Sequence, residues 1–321
     1  MEQTNPQFSR ILDNIEKVII GKREVAELAL VGLLAQGHVL LEDVPGVGKT
    51  MLVKSIAKSI DASYKRIQFT PDLLPSDVIG VSIFNPKTGD FNFKPGPIVG
   101  NIVLADEINR TSPKTQSALL EAMEEHAITV DGETKILPRP FFVMATQNPI
   151  EYEGTYELPE AQIDRFLLKI RMGYPDLADE IAILDNARVS ASVDTLEPVL
   201  STDDVIQIQN HVRAIRVDES ITRYIVELTN KTRQDNRIQL GVSPRGSVSL
   251  MKASQALAFA RGRDFVLPDD VQYLAPYVLS HRLILKPDSN FQKMSAETII
   301  HDIMQKTPVP IRKDKKGIFS R

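Results

Sequence analysis

A glycine-rich stretch near the amino terminus has the residue types that bind phosphate. It follows the short apolar run Val39-Leu40-Leu41 and consists of Asp43, Val44, Pro45, Gly46, Val47, Gly48, Lys49, Thr50 and Met51. In such a loop the backbone N–H groups surround a phosphate, the lysine reaches its outer oxygens, and the hydroxyl of Thr50 ligates Mg²⁺. The usual motif has glycine where Asp43 stands, and aspartate tolerates a left-handed backbone better than most residues. The stretch therefore predicts a phosphate site, the alternative being a glycine-rich turn that binds nothing.

Two carboxylates follow a second apolar run. Asp106 and Glu107 come directly after Ile102–Ala105. Because ligands of open α/β sheets bind at the carboxyl ends of the strands, Asp106 would contribute to a Mg²⁺ site and Glu107 would orient or deprotonate an attacking water. Taken alone, the pair could equally be a solvated strand end. Behind a phosphate-binding loop, it favours phosphate chemistry.

A third apolar run ends in amides instead of acids. Phe141–Ala145 leads into Thr146, Gln147 and Asn148. At the same sheet edge, Asn148 would hydrogen-bond the water or the terminal phosphate. The alternative is an Asn-Pro turn that closes the strand without a ligand.

Two arginines have positions that suggest an anion. Arg165 precedes the apolar run Phe166–Ile170, and Arg245 lies in the segment GVSPRG, where Ser243 and Pro244 mark the start of a helix. A cation in the first turn of a helix is disfavoured by the helix dipole by roughly 0.3 kcal/mol or more, and an anion opposite would reverse that sign. The alternative for each arginine is an ordinary surface salt bridge.

Composition excludes several other chemistries. The chain has no cysteine, so disulfides, thiolate metal sites and cysteine nucleophiles are ruled out, and its five histidines are scattered singly without a metal-ligand pattern. GVSPRG is not a nucleophile elbow. That motif, Gly-x-Ser-x-Gly, needs glycine at its fifth position, where this segment has arginine. The net charge of −4 disfavours a nucleic-acid partner. The start carries no targeting pattern and the longest apolar run, Leu28–Ala35, is too short to span a membrane, so we expect a cytoplasmic protein without membrane insertion.

The periodicity of apolar residues predicts the elements that carry these groups. Short buried runs separated by helices are typical of a parallel sheet covered on both faces, so we expect an α/β fold followed by an all-α domain. Predicted strands cover 39–41, 64–69, 102–105, 141–145 and 166–170, and two hairpins cover 79–95 and 127–137, the second turned by Asp131-Gly132. Predicted helices cover 8–19, 24–36, 49–60, 113–125, 179–188, 203–215, 218–234, 244–261 and 268–280.

The 321 residues thus divide into two unequal parts. Residues 1–175 form the α/β core, residues 176–200 a linker with the first helix of the second part, and residues 201–321 a helical domain that ends in a short basic tail. After Pro175 we expect no further strands.

In this order the motifs resemble the AAA+ ATPases and, within them, the MoxR family, which is related to magnesium chelatase I subunits. The matching stretches span nearly the whole chain: VIIGKREV, LLEDVPGVGKT, RIQFTPDLLPSDVIG, GPIVGNIVLADEINR, ALLEAMEEHAITVDGE, FFVMATQNP, YELPEAQIDRFLLKI and GVSPRG. Asp43 in place of the first loop glycine also looks familiar for this family.

The resemblance implies a role for each candidate residue. Lys49 and Thr50 resemble the Walker A pair, Asp106 and Glu107 the Walker B pair, and Asn148 the sensor 1 residue. Arg165 is similar to the arginine finger that enters a neighbouring subunit's site, and Arg245 to sensor 2, which contacts the nucleotide of its own subunit. Ile19, Ile20 and Gly21 match the segment along the adenine. Residues 79–95 resemble the helix 2 insert and 127–137 the hairpin before sensor 1.

The same resemblance implies an activity and partners. It predicts ATP and Mg²⁺ as cofactors, a P-loop ATPase core with a helical lid, assembly into a ring of six copies, and chaperone-like remodelling of partner proteins with a von Willebrand factor A-type domain. Three alternatives stay open: a nucleic-acid-dependent motor or loader, a magnesium-chelatase-like ATPase subunit, and a nucleotide-dependent binding module that turns over too slowly to count as an enzyme.

Overall fold

We describe the protein from a computed structural model. The structure describes residues 4–42, 46–148, 156, 158–189, 193–287 and 294–310, with only the backbone of 186–189. Asp43, Val44 and Pro45 of the predicted phosphate loop lie outside the described residues.

A five-stranded parallel sheet forms the centre of the amino-terminal part. In spatial order its strands are β2 (Tyr64–Gln68), β5 (Ile102–Asp106), β8 (Phe142–Gln147), β1 (Val39–Glu42) and β9 (Leu168–Ile170). β1, the strand before the glycine-rich loop, thus lies between β8 and β9. Every pair in this sheet is parallel. The α/β architecture predicted from the apolar runs is therefore confirmed.

Helices cover both faces of this sheet, and alternate residues of each strand point to opposite faces. Val39 and Leu41 of β1 belong to one buried cluster, which includes the helices before and after β1, whereas Leu40 belongs to a second cluster with the helix after β5. Burial on both faces explains the apolar character of β1, β5 and most of β8, whereas the edge strand β2 is mostly polar. The helices are α1 (Pro6–Glu16), α2 (Arg23–Leu34), α3 (Lys49–Ser59), α4 (Pro75–Ile79), α5 (Pro113–Glu125) and α6 (Glu160–Ile163).

Two antiparallel hairpins project from the core, as predicted. The first pairs β3 (Gly80–Asn85) with β4 (Asp90–Pro95), and the second pairs β6 (Ala127–Val130) with β7 (Glu133–Ile136). The second turns at Asp131 and Gly132, whose φ values of 52° and 81° are those of a type I′ turn.

A helical part follows the sheet, with two differences from the prediction. A small antiparallel sheet of β10 (Ile238–Leu240) and β11 (Ile284–Leu285) lies within it, so the expectation of no strand after Pro175 was wrong. A last helix begins after Ser295, whose hydroxyl accepts from the Thr298 N–H, and it was not predicted. The helices are α7 (Leu177–Val189), α8 (Thr202–Ala214), α9 (Glu219–Gln234), α10 (Pro244–Ala260), α11 (Pro268–Leu279) and α12 (Ala296–Gln305).

The helical part packs directly on the sheet part. The Gln209 side chain of α8 donates to the carbonyl oxygen of Leu33 in α2 at 2.8 Å, and the Asn5 N–H donates to the carbonyl oxygen of Ala260 at 2.9 Å. One buried apolar cluster runs through α1, α2 and α3 into α8–α11. No helix among the described residues is long and apolar enough to cross a membrane.

Candidate nucleotide site

The glycine-rich loop connects β1 to the amino terminus of α3. Gly46 and Gly48 have φ values of 87° and 95°, in the region that favours glycine, and α3 begins at Lys49 with Gly48 as its N-cap. Since Gly48 has no side chain to cap the helix, the first N–H groups of α3 have no side-chain acceptor at the cap. Such a helix start is an anion-binding site. Lys49 and Thr50 are both partly buried in its first turn.

Asp106 and Glu107 lie at the carboxyl end of β5 and are ordered by the neighbouring strand. The Thr146 hydroxyl of β8 donates to Asp106 Oδ1 at 2.7 Å and accepts from the Glu107 N–H at 2.8 Å. Glu107 adopts a left-handed backbone conformation with a φ of 58°. β5 and β1 are separated by β8 alone, so the ends of these strands lie about 10 Å apart at one sheet edge.

Two residues of the edge strand β2, which sequence reasoning missed, bind both carboxylates. Arg66 donates to Asp106 Oδ2 through Nη2 at 2.6 Å and Nε at 3.2 Å, and to Gln68 Oε1 at 2.7 Å. Gln68 in turn donates to Glu107 Oε2 at 2.8 Å, and Arg110 Nη1 lies 3.3 Å from the same oxygen. The signal available in the sequence was the alternation of polar residues along β2, because Tyr64, Arg66 and Gln68 share one face opposite buried Ile67.

Asn148 directly follows β8 at the same edge. It is 6% exposed, and its carbonyl oxygen accepts from the buried Asn109 Nδ2 at 3.2 Å. Asn109 belongs to the short helical turn that follows Glu107, so the two strand ends carrying Glu107 and Asn148 are tied to each other. The edge thus joins Asp106, Glu107 and Asn148 beside the start of α3.

A further acid at this edge was also missed. Glu42, the last residue of β1, is 11% exposed and lies 2.6 Å from Lys169 Nζ and 2.9 Å from Arg171 Nη2. Both cations lie on or just after β9, the neighbour of β1. These two ion pairs connect the end of β1, where the glycine-rich loop begins, to β9.

The segment expected to lie along the adenine is close to the loop. Met172, just after β9, would lie 3.5 Å from a Cβ at Gly48, and the carbonyl oxygen of Tyr174 accepts from Lys22 Nζ at 2.9 Å. The chain from Met172 to Tyr174 therefore connects the loop with the region of Ile19, Ile20 and Gly21. Ile19 is buried, Ile20 is half-buried, and Gly21 has a φ of 68°. Met51 lies in α3 and is 40% exposed.

Arg165 and Arg245 are brought together, but at the opposite edge of the sheet. Both contact the Glu124 carboxylate near the end of α5: Arg245 by an ion pair and Arg165 through Nε at 3.3 Å, without hydrogen-bond alignment. This group lies at the amino ends of the strands, because Arg165 precedes β9 and shares a cavity wall with His38, which precedes β1.

The structure therefore contradicts the expectation that Arg245 contacts the nucleotide of its own chain. A strand of four to six residues separates the two edges by about 13 to 20 Å, which is more than an arginine side chain spans. The helical part packs against the amino edge of the sheet. The motif GVSPRG contains no information about that packing. Ser243 and Pro244 do begin α10 as predicted, with the Ser243 hydroxyl donating to Asp164 Oδ2 at 3.3 Å.

The residues at the carboxyl edge fit a hydrated Mg²⁺. Thr50 and Asp106 offer hydroxyl and carboxylate oxygens, the donors that this cation prefers, and Asp106 is 13% exposed on its side chain. Arg66 occupies Asp106 Oδ2, while Oδ1 is bonded to Thr146. Among the described residues there is no cluster of three or more acids and histidines, so any metal there would depend on bound phosphate and water for its other ligands.

Comparisons with known proteins agree with this geometry. Residues 38–168 match the family described as "ATPase family associated with various cellular activities (AAA)", and residues 230–303 match the AAA lid domain. A crystal structure of a candidate ATPase from Cytophaga hutchinsonii superimposes with a TM-score of 0.89 at 39% identity, over 95% of each chain. The fold and the strand-edge loop thus define a P-loop AAA+ ATPase core with a helical lid.

Full-length relatives define the family more narrowly. The chain is 42% identical to "Chaperone MoxR1" of Mycobacterium tuberculosis, over 94% of this chain and 82% of that protein. It is also 60% identical to the protein YeaC of Bacillus subtilis, over 97% of this chain and 98% of that one. The chain belongs to the MoxR family of AAA+ ATPases.

Proposed function

We propose that this protein hydrolyses ATP to ADP and phosphate by in-line attack of water, and that two copies build each active site. The observation that carries the proposal is the meeting, at one sheet edge, of a phosphate-binding helix start with Asp106, Glu107 and Asn148. Membership of an ATPase family supports it.

Each residue at the carboxyl edge has a proposed task. The loop from Asp43 to Met51 holds the phosphates, Lys49 neutralises their outer oxygens, and Thr50 and Asp106 hold Mg²⁺. A bound Mg²⁺ supplies charge neutralisation on the phosphates. Glu107 takes up the proton of the attacking water, and Asn148 fixes that water or the terminal phosphate.

The adenine has a proposed place as well. Ile19, Ile20 and Gly21 would contact the base, next to the chain from Met172 to Tyr174 that leads away from the loop. Support comes from the hydrogen bond between Lys22 Nζ and the carbonyl oxygen of Tyr174, which places this segment beside that chain.

Arg165 and Arg245 would act on the nucleotide of a neighbouring copy. They lie a full strand length from their own chain's phosphate loop, share one carboxylate, and line a cavity of about 470 Å³ that opens to the surface. A cation at this edge can stabilise transition-state charge only at a site formed by another copy. Such a head-to-tail contact forms a ring when its rotation closes, and the family resemblance favours a ring of six copies.

In the assembled protein we expect hydrolysis to move the helical lid (201–321) against the core (1–175). The two projecting hairpins would then move against a partner and remodel it, and a protein with a von Willebrand factor A-type domain is the partner that the family resemblance suggests. The name of the mycobacterial relative, a chaperone, supports a remodelling role.

The test is the ATPase rate against protein concentration, with sedimentation on the same samples. We expect the specific activity to rise as the protein assembles, and Arg165→Ala to remove that rise while leaving nucleotide binding intact. A measurable rate from a monomer that does not change with concentration would contradict the shared site.

A further inference from the structure

A buried arginine of the lid reaches into the segment that carries Arg165. Arg282 lies in the 3-10 turn Ser280–Arg282 that follows α11, and its side chain is 2% exposed. Its Nε donates to Asp164 Oδ1 at 2.7 Å. Asp164 is the residue directly before Arg165.

The same guanidinium also binds the backbone on both sides of Arg165. Its Nη2 donates to the carbonyl oxygens of Phe166 at 2.6 Å and Asp164 at 3.2 Å, and its Nη1 to that of Leu167 at 3.4 Å. One lid side chain therefore holds three carbonyl groups of the turn between α6 and β9.

Asp164 connects this turn to Arg245 as well. Its Oδ1 accepts from Arg282, while its Oδ2 accepts from the hydroxyl of Ser243, the N-cap of α10, at 3.3 Å. Arg245 follows two residues later, in the first turn of α10. The Asp164 carboxylate thus links the chain segments of both cationic residues to the same lid arginine.

Gly246, the last residue of GVSPRG, makes room for this arrangement. A Cβ at Gly246 would lie 2.3 Å from Val242 Cγ1 and 3.1 Å from Arg282 Cδ. A side chain there would overlap Val242, whereas the stem of Arg282 would have to shift by only a few tenths of an ångström, so Val242 is the main reason for glycine at this position and Arg282 adds to it.

A buried ion pair is weak support for stability, since apolar residues of the same shape often serve as well. A planar guanidinium that binds a carboxylate and several carbonyls does fix the orientation of the segment it binds. Lysine cannot reproduce this set of hydrogen bonds. We propose that Arg282 is a positioning residue, which sets Arg165 and Arg245 in the orientation that a neighbouring copy's nucleotide requires and so couples the lid to that site. This inference rests on the proposed function.

The first measurement is the steady-state ATPase rate of Arg282→Lys. This variant keeps the positive charge but loses the planar guanidinium group that donates several hydrogen bonds. We expect kcat to fall by roughly 10²-fold, since misplacing a catalytic group by about 1 Å costs that much. The KM for ATP should stay close to that of the wild type, because the variant's own phosphate loop lies at the other sheet edge. Arg237→Lys is the matched control: Arg237 is a lid arginine paired with Asp235 and Asp302, and its replacement should leave kcat unchanged.

The decisive measurement mixes subunits. Glu107→Gln subunits should hydrolyse ATP at least about 10²-fold more slowly, but they carry intact Arg165 and Arg245. When Glu107→Gln subunits are in excess, most Arg282→Lys subunits have a Glu107→Gln neighbour, which supplies correctly oriented Arg165 and Arg245 to their active sites. The rate of each Arg282→Lys subunit should therefore be restored, because its own misplaced arginines then act only on inactive sites. Arg165→Ala mixed in the same way serves as the reference. Should Arg282→Lys fail to fold, Ser243→Ala, which removes only the second contact to Asp164, is measured in its place with the same expected recovery.

The outcomes separate the two levels of the proposal. Recovery of both variants supports the positioning role of Arg282. Recovery of Arg165→Ala without recovery of Arg282→Lys, or a wild-type kcat for Arg282→Lys, overturns it. If neither variant recovers, the shared active site itself is wrong.

Discussion

At the scale of single residues, Glu107 combines backbone strain with a carboxylate held on several sides. A non-glycine residue in a left-handed conformation costs on the order of 1 kcal/mol, which its surroundings must offset. Thr146 accepts from the Glu107 N–H, and Gln68 and Arg110 bind its carboxylate. Strain maintained in this way is typical of functional sites, and it supports the proposal that Glu107 acts as the base.

Glu107→Gln tests this base. The amide keeps the size of the side chain but cannot take up a proton, so we expect single-turnover hydrolysis to fall by roughly 10² to 10⁴-fold. Affinity for a fluorescent ADP analogue should change little. Glu121→Gln, the same change at an exposed position of α5, is the control. Wild-type hydrolysis by Glu107→Gln would exclude Glu107 as the base.

His38 is predicted to make stability depend on pH. Its Nδ1 accepts from the Val143 N–H and its Nε2 donates to the carbonyl oxygen of Met123, both at 3.0 Å. Burial lowers the pKa of His38 from 6.5 to about 4. The unfolded chain therefore binds a proton more readily than the folded one, and stability present above pH 6.5 is lost as the pH falls towards 4, by on the order of 3 kcal/mol.

Urea unfolding between pH 4 and 8 measures this effect. His38→Asn keeps an acceptor for the Val143 N–H and does not titrate, so its stability should be lower at neutral pH and should fall less on acidification. Equal pH slopes for the two proteins would mean that His38 is not the titrating group.

Only some of the site residues could be assigned to their places from the sequence. Lys49, Asp106 and Asn148 each follow an apolar run, and parallel strands bring such positions to one edge whatever their order. Arg66 and Gln68 lie within a strand, so their partners depend on which strand lies beside β2. The place of Arg245 depends on where the lid packs, which no local pattern contains.

At the scale of elements, α2 approaches the sheet closely at Gly32. A Cβ there would lie 2.6 Å from Cγ2 of the buried Val39 and 3.5 Å from a ring carbon of Phe142. Alanine in place of glycine gains up to about 1 kcal/mol of helix propensity, whereas overpacking a core costs about 1 to 3 kcal/mol. Because Val39 is stiff and fully buried, we expect the cost to exceed the gain.

Gly32→Ala should therefore lower the free energy of unfolding. Val39→Ala also destabilises alone by leaving a cavity, but in the double variant the new methyl group fills part of that space. We expect the double variant to be more stable than the sum of the two changes by about 0.5 to 3 kcal/mol. Simple additivity would show that the two residues do not compete for the same volume.

The elements that the sequence missed are short or lie near the end of the chain. Each strand of the main sheet was predicted to within about two residues. β1, β5, β8 and β9 lie in runs with at least three consecutive buried residues, and β2 was indicated by Ile67 and Phe69, which are buried at alternate positions. β10 and β11 have three and two residues, too few for any alternation. α12 does carry a signal, since Ile299, Ile300 and Ile303 are buried at helical spacing behind Ser295.

At the scale of the whole molecule, α7 exposes several large apolar side chains. Leu177, Ile181 and Leu184 are 78%, 53% and 64% exposed and recur along one side of the helix. α7 begins beside Gly21, because a Cβ there would overlap the Asp179 carboxylate. In the proposed ring, the neighbouring copy that brings Arg165 and Arg245 to the nucleotide would therefore approach α7. The acidic residues of α7, Asp179, Glu180 and Asp185, complement the positive charge of the neighbouring copy's Arg165 and Arg245.

Ile181→Lys should therefore weaken assembly. A lysine would place a positive charge among the apolar residues of α7 and opposite the cationic edge of the neighbouring copy. We therefore expect the ATPase to reach half of its maximum at a protein concentration at least tenfold higher, which corresponds to about 1.4 kcal/mol of association free energy. Sedimentation should show the same shift towards the monomer. Val226→Lys is the control, because Val226 is 50% exposed on α9 and lies outside the proposed contact. If Ile181→Lys assembles and hydrolyses ATP like Val226→Lys, α7 does not face the neighbouring copy, and the ring contact must use another surface next to the phosphate loop.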